Sequence, residues 1–414
     1  MTTSNQTWLR TPWHARWLEQ ETDALLRFAR ASRAPRGFGY LGADGQVEPA
    51  RPVELWITCR MTHVFALGSL LGRPGCATLV DHGMRAITDS FEDRDHGGWF
   101  ASMGDDGPVA DRKEAYPHAF VLLATASATA AGRPGAGEVF ARAQQTFLEH
   151  FWVEADGMAI EGFDRAFTQP EDYRGVNANM HTVEAFLATA DVSGDDSWLD
   201  RALRVLDRVV NTLAPQASWR IPEHFDPEWR PVPDYNRDEP AHPFRPFGAT
   251  IGHWFEWARL SVQAAEALRL RGRPPAAWLT DNAVALFDAA TGEGWAVDGA
   301  DGFVYTVDFD GRPVVHARMH WVVTEAIAAA AALHRATGEA RYDQWYRTWW
   351  DYAQTHLIER PGAWLHELDR ANSPASQTWS GKPDAYHAIQ ATLAPRLPAS
   401  PAFAPALARG LLDS

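Results

Sequence analysis

The feature that most constrains this chain is a short loop that keeps coming back. It appears as Leu71-Gly72-Arg73-Pro74-Gly75, Ala131-Gly132-Arg133-Pro134-Gly135, Val192-Ser193-Gly194-Asp195, Arg271-Gly272-Arg273-Pro274 and Thr337-Gly338-Glu339, each time after an Ala/Leu-rich stretch. Glycine there is the usual residue just past a helix, and the Pro or Asp that follows restarts one. Gly72, Gly132, Gly194, Gly272 and Gly338 lie 60, 62, 78 and 66 residues apart. Each period has room for two helices and two loops. A fixed period of that size marks a repeat architecture, and the repeat has to be found before anything else.

A second, longer loop alternates with the first. It is rich in Gly, Asp and aromatics and occurs around 37–45, 95–107, 154–164, 218–230, 295–311 and 359–371. Alternation such as Gly302-Phe303-Val304-Tyr305-Thr306-Val307 reads as a short β-hairpin. After each long loop comes a segment that opens with an Arg or His and continues almost wholly apolar. The six openings hold Arg60, His118, His181, His253, His320 and His387. Segments apolar on all sides belong inside, whereas the intervening ones, such as 197–212 and 341–355, are amphipathic and belong outside. Six inner–outer helix pairs predict an all-α fold, a closed (α/α)6 barrel with short β-hairpins in the long loops. It spans 1–414 as one domain, with 396–414 as a tail lying on the barrel. The inner-helix starts then converge at one end, beneath the long loops.

The chemistry is expected at that end. His253 and Glu256 sit at i and i+3, on one face of a helix start. Trp254 and Trp257 flank them, and Gly252 leaves space for a ligand to approach the backbone. His118 and His320 read equally well as wall residues, while His181, His253 and His387 read as functional. His181/Glu184 and His253/Glu256 are paper candidates for a metal, but no His-x3-His or Glu-x-x-His spacing joins them. Glycoside hydrolysis needs two opposed carboxylic acids, for which Glu184, Glu256 and Glu325 are available, yet no acid opens an inner helix. No dinucleotide or Walker loop is present. Histidine, which both takes and returns a proton near neutrality, makes proton transfer the best fit.

Composition excludes several partners. Asp and Glu number 53 against 38 Lys and Arg, a net charge of −15. This disfavours nucleic acid and anionic membranes. No apolar run reaches spanning length and 1–10 lacks a signal-peptide core, so a cytoplasmic protein is expected. Cys59 and Cys76 form no framework. The 19 tryptophans suit sugar stacking, although wide barrels also use Trp as filler.

Longer motifs carry a family resemblance. They are Arg16-Trp17-Leu18-Glu19-Gln20-Glu21, Gly37-Phe38-Gly39-Tyr40-Leu41-Gly42, Leu55-Trp56-Ile57-Thr58-Cys59-Arg60-Met61, Glu171-Asp172-Tyr173-Arg174-Gly175, Asn177-Ala178-Asn179-Met180-His181, Gly252-His253-Trp254-Phe255-Glu256-Trp257, Asp298-Gly299-Ala300-Asp301-Gly302-Phe303 and Tyr386-His387. From about residue 8 to the C-terminus, the chain resembles the N-acylglucosamine 2-epimerase superfamily. Within it, the likeness is to the aldose–ketose isomerases acting on mannose and sulfoquinovose. The resemblance implies an enzyme with no metal and no cofactor, acting on a monosaccharide. His253 and His387 would be the catalytic pair, with Glu256 orienting His253. Arg60, Asn177, His181 and Glu256 would hold hydroxyls, and Trp56, Tyr116, Trp321 and Trp379 would wall the pocket. His253 would assist ring opening, and His387 would move the C2 proton to C1 through an enediol while Arg60 steadies the oxygens. The expected conversion is D-mannose to D-fructose, with D-lyxose to D-xylulose weaker. A sugar 2-epimerase, a sulfoquinovose isomerase or a non-catalytic sugar-binding barrel are the alternatives. The positions matching the sulfonate-holding Arg and Gln residues are Pro243, His366 and Pro383, which argues for an uncharged C6 group.

Overall fold

The computed structural model describes residues 7–414. Among these, twelve helices build the barrel. The outer six are α1 (Pro12–Ala29), α3 (Cys76–Arg85), α5 (Ala136–Thr146), α7 (Ser197–Leu206), α9 (Trp278–Gly294) and α11 (Ala340–Tyr352). The inner six are α2 (Leu55–Leu70), α4 (Ala115–Ala130), α6 (Val176–Ser193), α8 (Ile251–Leu270), α10 (His320–Thr337) and α12 (Tyr386–Leu393). Each inner helix packs on the next, α12 returns against α2, and α1 covers α12 from outside. The ring therefore closes as an (α/α)6 barrel.

Residue pattern explains the layers. In α7 the buried set is Trp198, Leu199, Ala202, Val205 and Leu206, one stripe at helical spacing. In α10 almost every side chain from Val322 to Ala331 is buried, so the helix is lined on all sides by protein. The expected glycines end the inner helices with positive φ, from 65° at Gly132 to 75° at Gly338, where a Cβ would be strained. Four outer helices finish in a wider π turn, at Ala86–Phe91, Phe147–Phe151, Asp207–Leu213 and Ala353–Leu357.

The hairpins read from the sequence exist, but their main role is to lace the long loops together. The two residues before an inner helix pair with a strand of the following long loop: Val53–Glu54 with Ser102–Gly104, Lys113–Glu114 with Gly162–Phe163, Arg174–Gly175 with His224–Phe225, Ala249–Thr250 with Thr306–Val307, and Arg318–Met319 with Glu367–Leu368. The first helical N–H then donates to the next residue of that loop. The acceptors are the carbonyls of Ala101, Glu161, Glu223, Tyr305 and His366. These five residues are equivalent in the repeat. Their backbone satisfies an orphan donor of a helix start, and their side chains stand beside the inner-helix mouths. The circuit closes where the Lys382 N–H donates to the Leu41 carbonyl.

The tail is a plug. Its helix α13 (Phe403–Ala408) packs on α2, α4 and α6 at the end opposite the long loops. The Ala402 N–H donates to Asp191 near the C-terminus of α6, 2.7 Å away. Most tryptophans are filler, as anticipated for part of the set. Trp254, Trp257, Trp349, Trp350 and Trp364 are fully buried in the core.

Candidate active site

A cleft opens at the long-loop end. Its wall follows a rule that the His register only approximated. The second and sixth residues of the inner helices, i and i+4, face inward. They are Trp56/Arg60, Tyr116/Phe120, Asn177/His181, Gly252/Glu256 and Trp321/Glu325, with His387 as the second residue of the last helix. Trp56, Arg60, Tyr116, Asn177, His181, His253, Glu256, Trp321, Trp379 and His387 all line the cleft, so the ten residues given a catalytic or substrate-binding role are brought together. His118 is not there. Its Nδ1 donates to the Glu114 carbonyl at 2.7 Å and its Nε2 accepts the Trp99 N–H at 3.1 Å, which makes it a satisfied wall histidine.

Two histidine–carboxylate pairs flank Trp321. His253 Nδ1 lies 3.0 Å from each oxygen of Glu223, and His387 Nδ1 lies 3.2 Å from Glu325 Oε1. The Trp321 ring sits 5.3 Å from the His253 ring and 5.8 Å from the His387 ring. An ionised carboxylate only accepts, so each Nδ1 carries the proton and each Nε2 keeps a lone pair. Both rings are thereby set as bases. Burial would raise Glu325, but Arg259 and His387 outweigh it and hold the carboxylate ionised. Arg259 Nε donates to Glu325 at 2.9 Å.

The expected His253–Glu256 pairing is corrected here. Glu256 turns toward the barrel axis, where Arg259 Nη2 lies 3.3 Å and His181 Nδ1 3.7 Å from Oε1. Three helical steps leave the two side chains about 60° apart around the axis, so His253 aims up at the loop layer and Glu256 inward. Glu256 is pushed well above the usual carboxylate range, by burial first and then by Glu325, against the pull of Arg259. Its Oε2 has no hydrogen-bond partner among the described residues. Gly252 also serves another purpose than expected. A Cβ there would stand 2.2 Å from the Trp321 ring, so the glycine makes room for that ring and not for a ligand. Trp254 and Trp257 face the core, not the cleft.

Arg60 is fixed from three directions. It donates to Asp384 at 3.1 Å and to the Tyr116 hydroxyl at 2.8 Å, and it lies over the Phe120 ring at 4.5 Å. His181, Glu184 and Glu256 place three potential ligand atoms within 4.8 Å of one another. Protein donors already engage both carboxylates: Tyr386 and Gln390 donate to Glu184, and Arg259 to Oε1 of Glu256. A guanidinium in contact with the cluster opposes a divalent cation. Burial lowers His181 to about 4.

Comparison with known proteins places this geometry. The N-acylglucosamine 2-epimerase model matches residues 37–391. The chain belongs to the N-acylglucosamine 2-epimerase family. A D-mannose isomerase of Thermobifida fusca is 51% identical over 405 residues, covering 97% of this chain and 98% of that protein. One from Pseudomonas cannabina pv. alisalensis is 47% identical, covering 97% of each. A crystal structure of a D-mannose isomerase superposes with a TM-score of 0.85 at 26% identity, covering 92% of this chain and 97% of the other. A cellobiose 2-epimerase of Spirochaeta thermophila, at 20% identity and a TM-score of 0.79, shares the fold.

In this member of the epimerase family, several cleft residues came from outside the sequence reading. Tyr305, Phe244, Pro246 and Asp384 of the lining, and Glu223 behind His253, were not foreseen. Glu223, Tyr305 and His366 hold equivalent places in the loop lacing, so aligning the repeats through the residue before each second strand is the signal that finds them. Phe244 reaches the cleft on the insertion that stretches one period to 78 residues. Its ring meets Trp56, Tyr116 and Trp379 edge-on at 6.0, 5.7 and 5.2 Å.

Proposed function

We propose that this chain is an aldose–ketose isomerase that interconverts D-mannose and D-fructose. The observation that carries the reading is the pair of His–Glu dyads, His253–Glu223 and His387–Glu325, opening on one aromatic cleft. Relatives near 50% identity named D-mannose isomerase support it. His253 assists ring opening. His387 Nε2 removes the C2 proton of the open-chain aldose to give an enediol and returns it to C1, while the O2 proton passes to O1, which converts the aldehyde to a ketose. Arg60 stabilises the charge that develops on the oxygens. Glu256, its carboxyl pushed up by burial and with one oxygen unpartnered, replaces its expected orienting role with that of a hydrogen-bond partner to those oxygens. Asn177 and His181 hold hydroxyls, and Trp56, Tyr116, Trp321 and Trp379 bound the sugar. No step calls on a cofactor.

The far wall favours an uncharged sugar. Pro243, His366 and Pro383 line the cleft where a sulfonate would need cationic partners. Arg245 is held by Glu171 at 2.9 Å, and Lys382 by the Ala43 carbonyl at 2.7 Å and Glu359 at 3.3 Å. His366 is driven well below the usual imidazole range, by burial first. A buried sulfonate without charge-assisted partners would cost several kcal/mol, about the cost of an unpaired buried charge. D-Lyxose, mannose without its hydroxymethyl, is the weaker substrate and sulfoquinovose a poor one. Carbon NMR of the protein with D-mannose tests the reading: fructose as first product supports it, and glucose as first product would make the enzyme a 2-epimerase.

A further inference from the structure

We propose that the stacked imidazoles of His320 and His366 form a hydroxyl-binding subsite that selects among sugars; the inference rests on the isomerase reading above. His320 is the first residue of α10, and its N–H donates to the His366 carbonyl at 3.0 Å. The two rings stack with centroids 3.7 Å apart and planes 28° from parallel. Both line the cleft, and His320 is only 4% exposed. Among the described residues, neither ring nitrogen of His320 has a hydrogen-bond partner.

Packing alone does not account for such a residue. A buried donor or acceptor left unpaired is destabilising, and a phenylalanine would stack without that cost. Two other buried histidines here are served on both sides. His118 is one, and His224 is another, with the Tyr173 hydroxyl and the Pro246 carbonyl each 2.7 Å from its ring nitrogens. What distinguishes His320 is the cleft beside it.

The chemistry selects the ligand class. Burial lowers His320 to about 3, so the ring is neutral, with one N–H donor and one lone pair. A hydroxyl both donates and accepts and matches such a ring. A phosphate, sulfonate or carboxylate only accepts, and an ammonium only donates. The charged and titratable groups around the stack are engaged elsewhere. Asp384 and Arg60 pair at 3.1 Å, Lys382 pairs with Glu359, and His387, whose ring is 6.3 Å from that of His320, pairs with Glu325. A site built to bond a hydroxyl rejects the analogue lacking it far more strongly than an apolar pocket rejects a size change.

The test is a coupling measurement between side chain and hydroxyl. kcat and KM are measured for wild type and His320→Phe on D-mannose and its 3-, 4- and 6-deoxy forms. His320→Phe keeps the stack and removes both nitrogens. The expected result is roughly a tenfold rise in KM on mannose, with kcat nearly unchanged. That rise disappears on one deoxy sugar, the one whose hydroxyl the pair holds. His320→Gln, which keeps a donor and an acceptor, recovers part of the loss. An equal loss on all four sugars, or no loss on any, overturns the proposal. Should His320→Phe fail to fold by circular dichroism, His366→Phe is judged by the same criterion. A wild-type protein that leaves mannose unchanged sinks the isomerase reading instead. Calorimetric binding of D-mannitol and its deoxy forms then replaces KM in the same comparison.

Discussion

His253 Nδ1 lies 3.0 Å from both oxygens of Glu223, a residue thirty positions earlier in the chain. Glu223 also accepts the Thr250 N–H at 3.3 Å, so one carboxylate ties the loop layer both to the backbone just before α8 and to the ring it orients. A histidine base depends on such a partner for its tautomer and direction. Glu223→Gln is expected to lower kcat roughly tenfold to a hundredfold, with little change in KM. His253→Ala should lower it by about a hundredfold or more. The double variant should be no worse than His253→Ala, because both act through one ring. Additive losses in steady-state kinetics would separate Glu223 from His253.

His387→Ala is expected to abolish exchange of the C2 hydrogen with solvent. Wild type incubated with mannose in D2O should place deuterium at C1 of fructose whenever the abstracted proton exchanges before return. Proton NMR of a folded His387→Ala protein that still exchanges would take His387 out of the proton transfer.

Gly252→Ala should cost both stability and turnover. Its Cβ would lie 2.2 Å from the Trp321 ring, and that ring packs between His253 and His387. A displaced Trp321 therefore moves both dyads. The expected signs are a lower Tm, altered tryptophan fluorescence and a fall in kcat, with Trp321→Phe restoring part of the Tm. An unchanged Tm in Gly252→Ala would show that the ring has somewhere else to go.

Glu161 gives a pH-dependent stability. Burial first, then Glu171 and Glu114, raise its carboxyl to about 7, with Arg245 pulling the other way. Below the ordinary value of 4.5 the group is protonated folded and unfolded alike. Between there and about 7 the unfolded chain gives up the proton while the folded one keeps it, so stability is lost across that window. Glu161→Gln cannot ionise. It should match wild type near pH 4 and be more stable by roughly 1–3 kcal/mol above pH 8. Denaturant melts at the two pH values check this, and a constant difference would refute it.

Turnover of mannose should survive exhaustive dialysis against EDTA. The three-ligand cluster of His181, Glu184 and Glu256 is already engaged by Arg259, Tyr386 and Gln390. Loss of activity on dialysis, restored by one metal ion per chain, would reverse that view of the cluster.

Much of this protein is legible before folding. Repeating glycines and apolar inner segments dictate the barrel, because those signals are local: 3.6-residue periodicity, helix C-termini and loop composition. The same regularity places Arg60, His181, His253 and His387 at one mouth, since every inner helix starts at the same level, while Trp56, Tyr116, Asn177 and Trp321 were reached through the family resemblance. Partner choice was decided only by tertiary structure. Spacing within α8 pairs His253 with Glu256 on paper. In the barrel the nearest acceptor is Glu223, which the strand lacing lifts over the helix start, while Glu256 is drawn inward by Arg259 from its own helix. Gly252 likewise reads as an opening for ligand until Trp321, from the neighbouring inner helix, fills it. A helix fixes which side chains share its face, but what stands opposite that face comes from other repeats, and no local pattern encodes the distance between them.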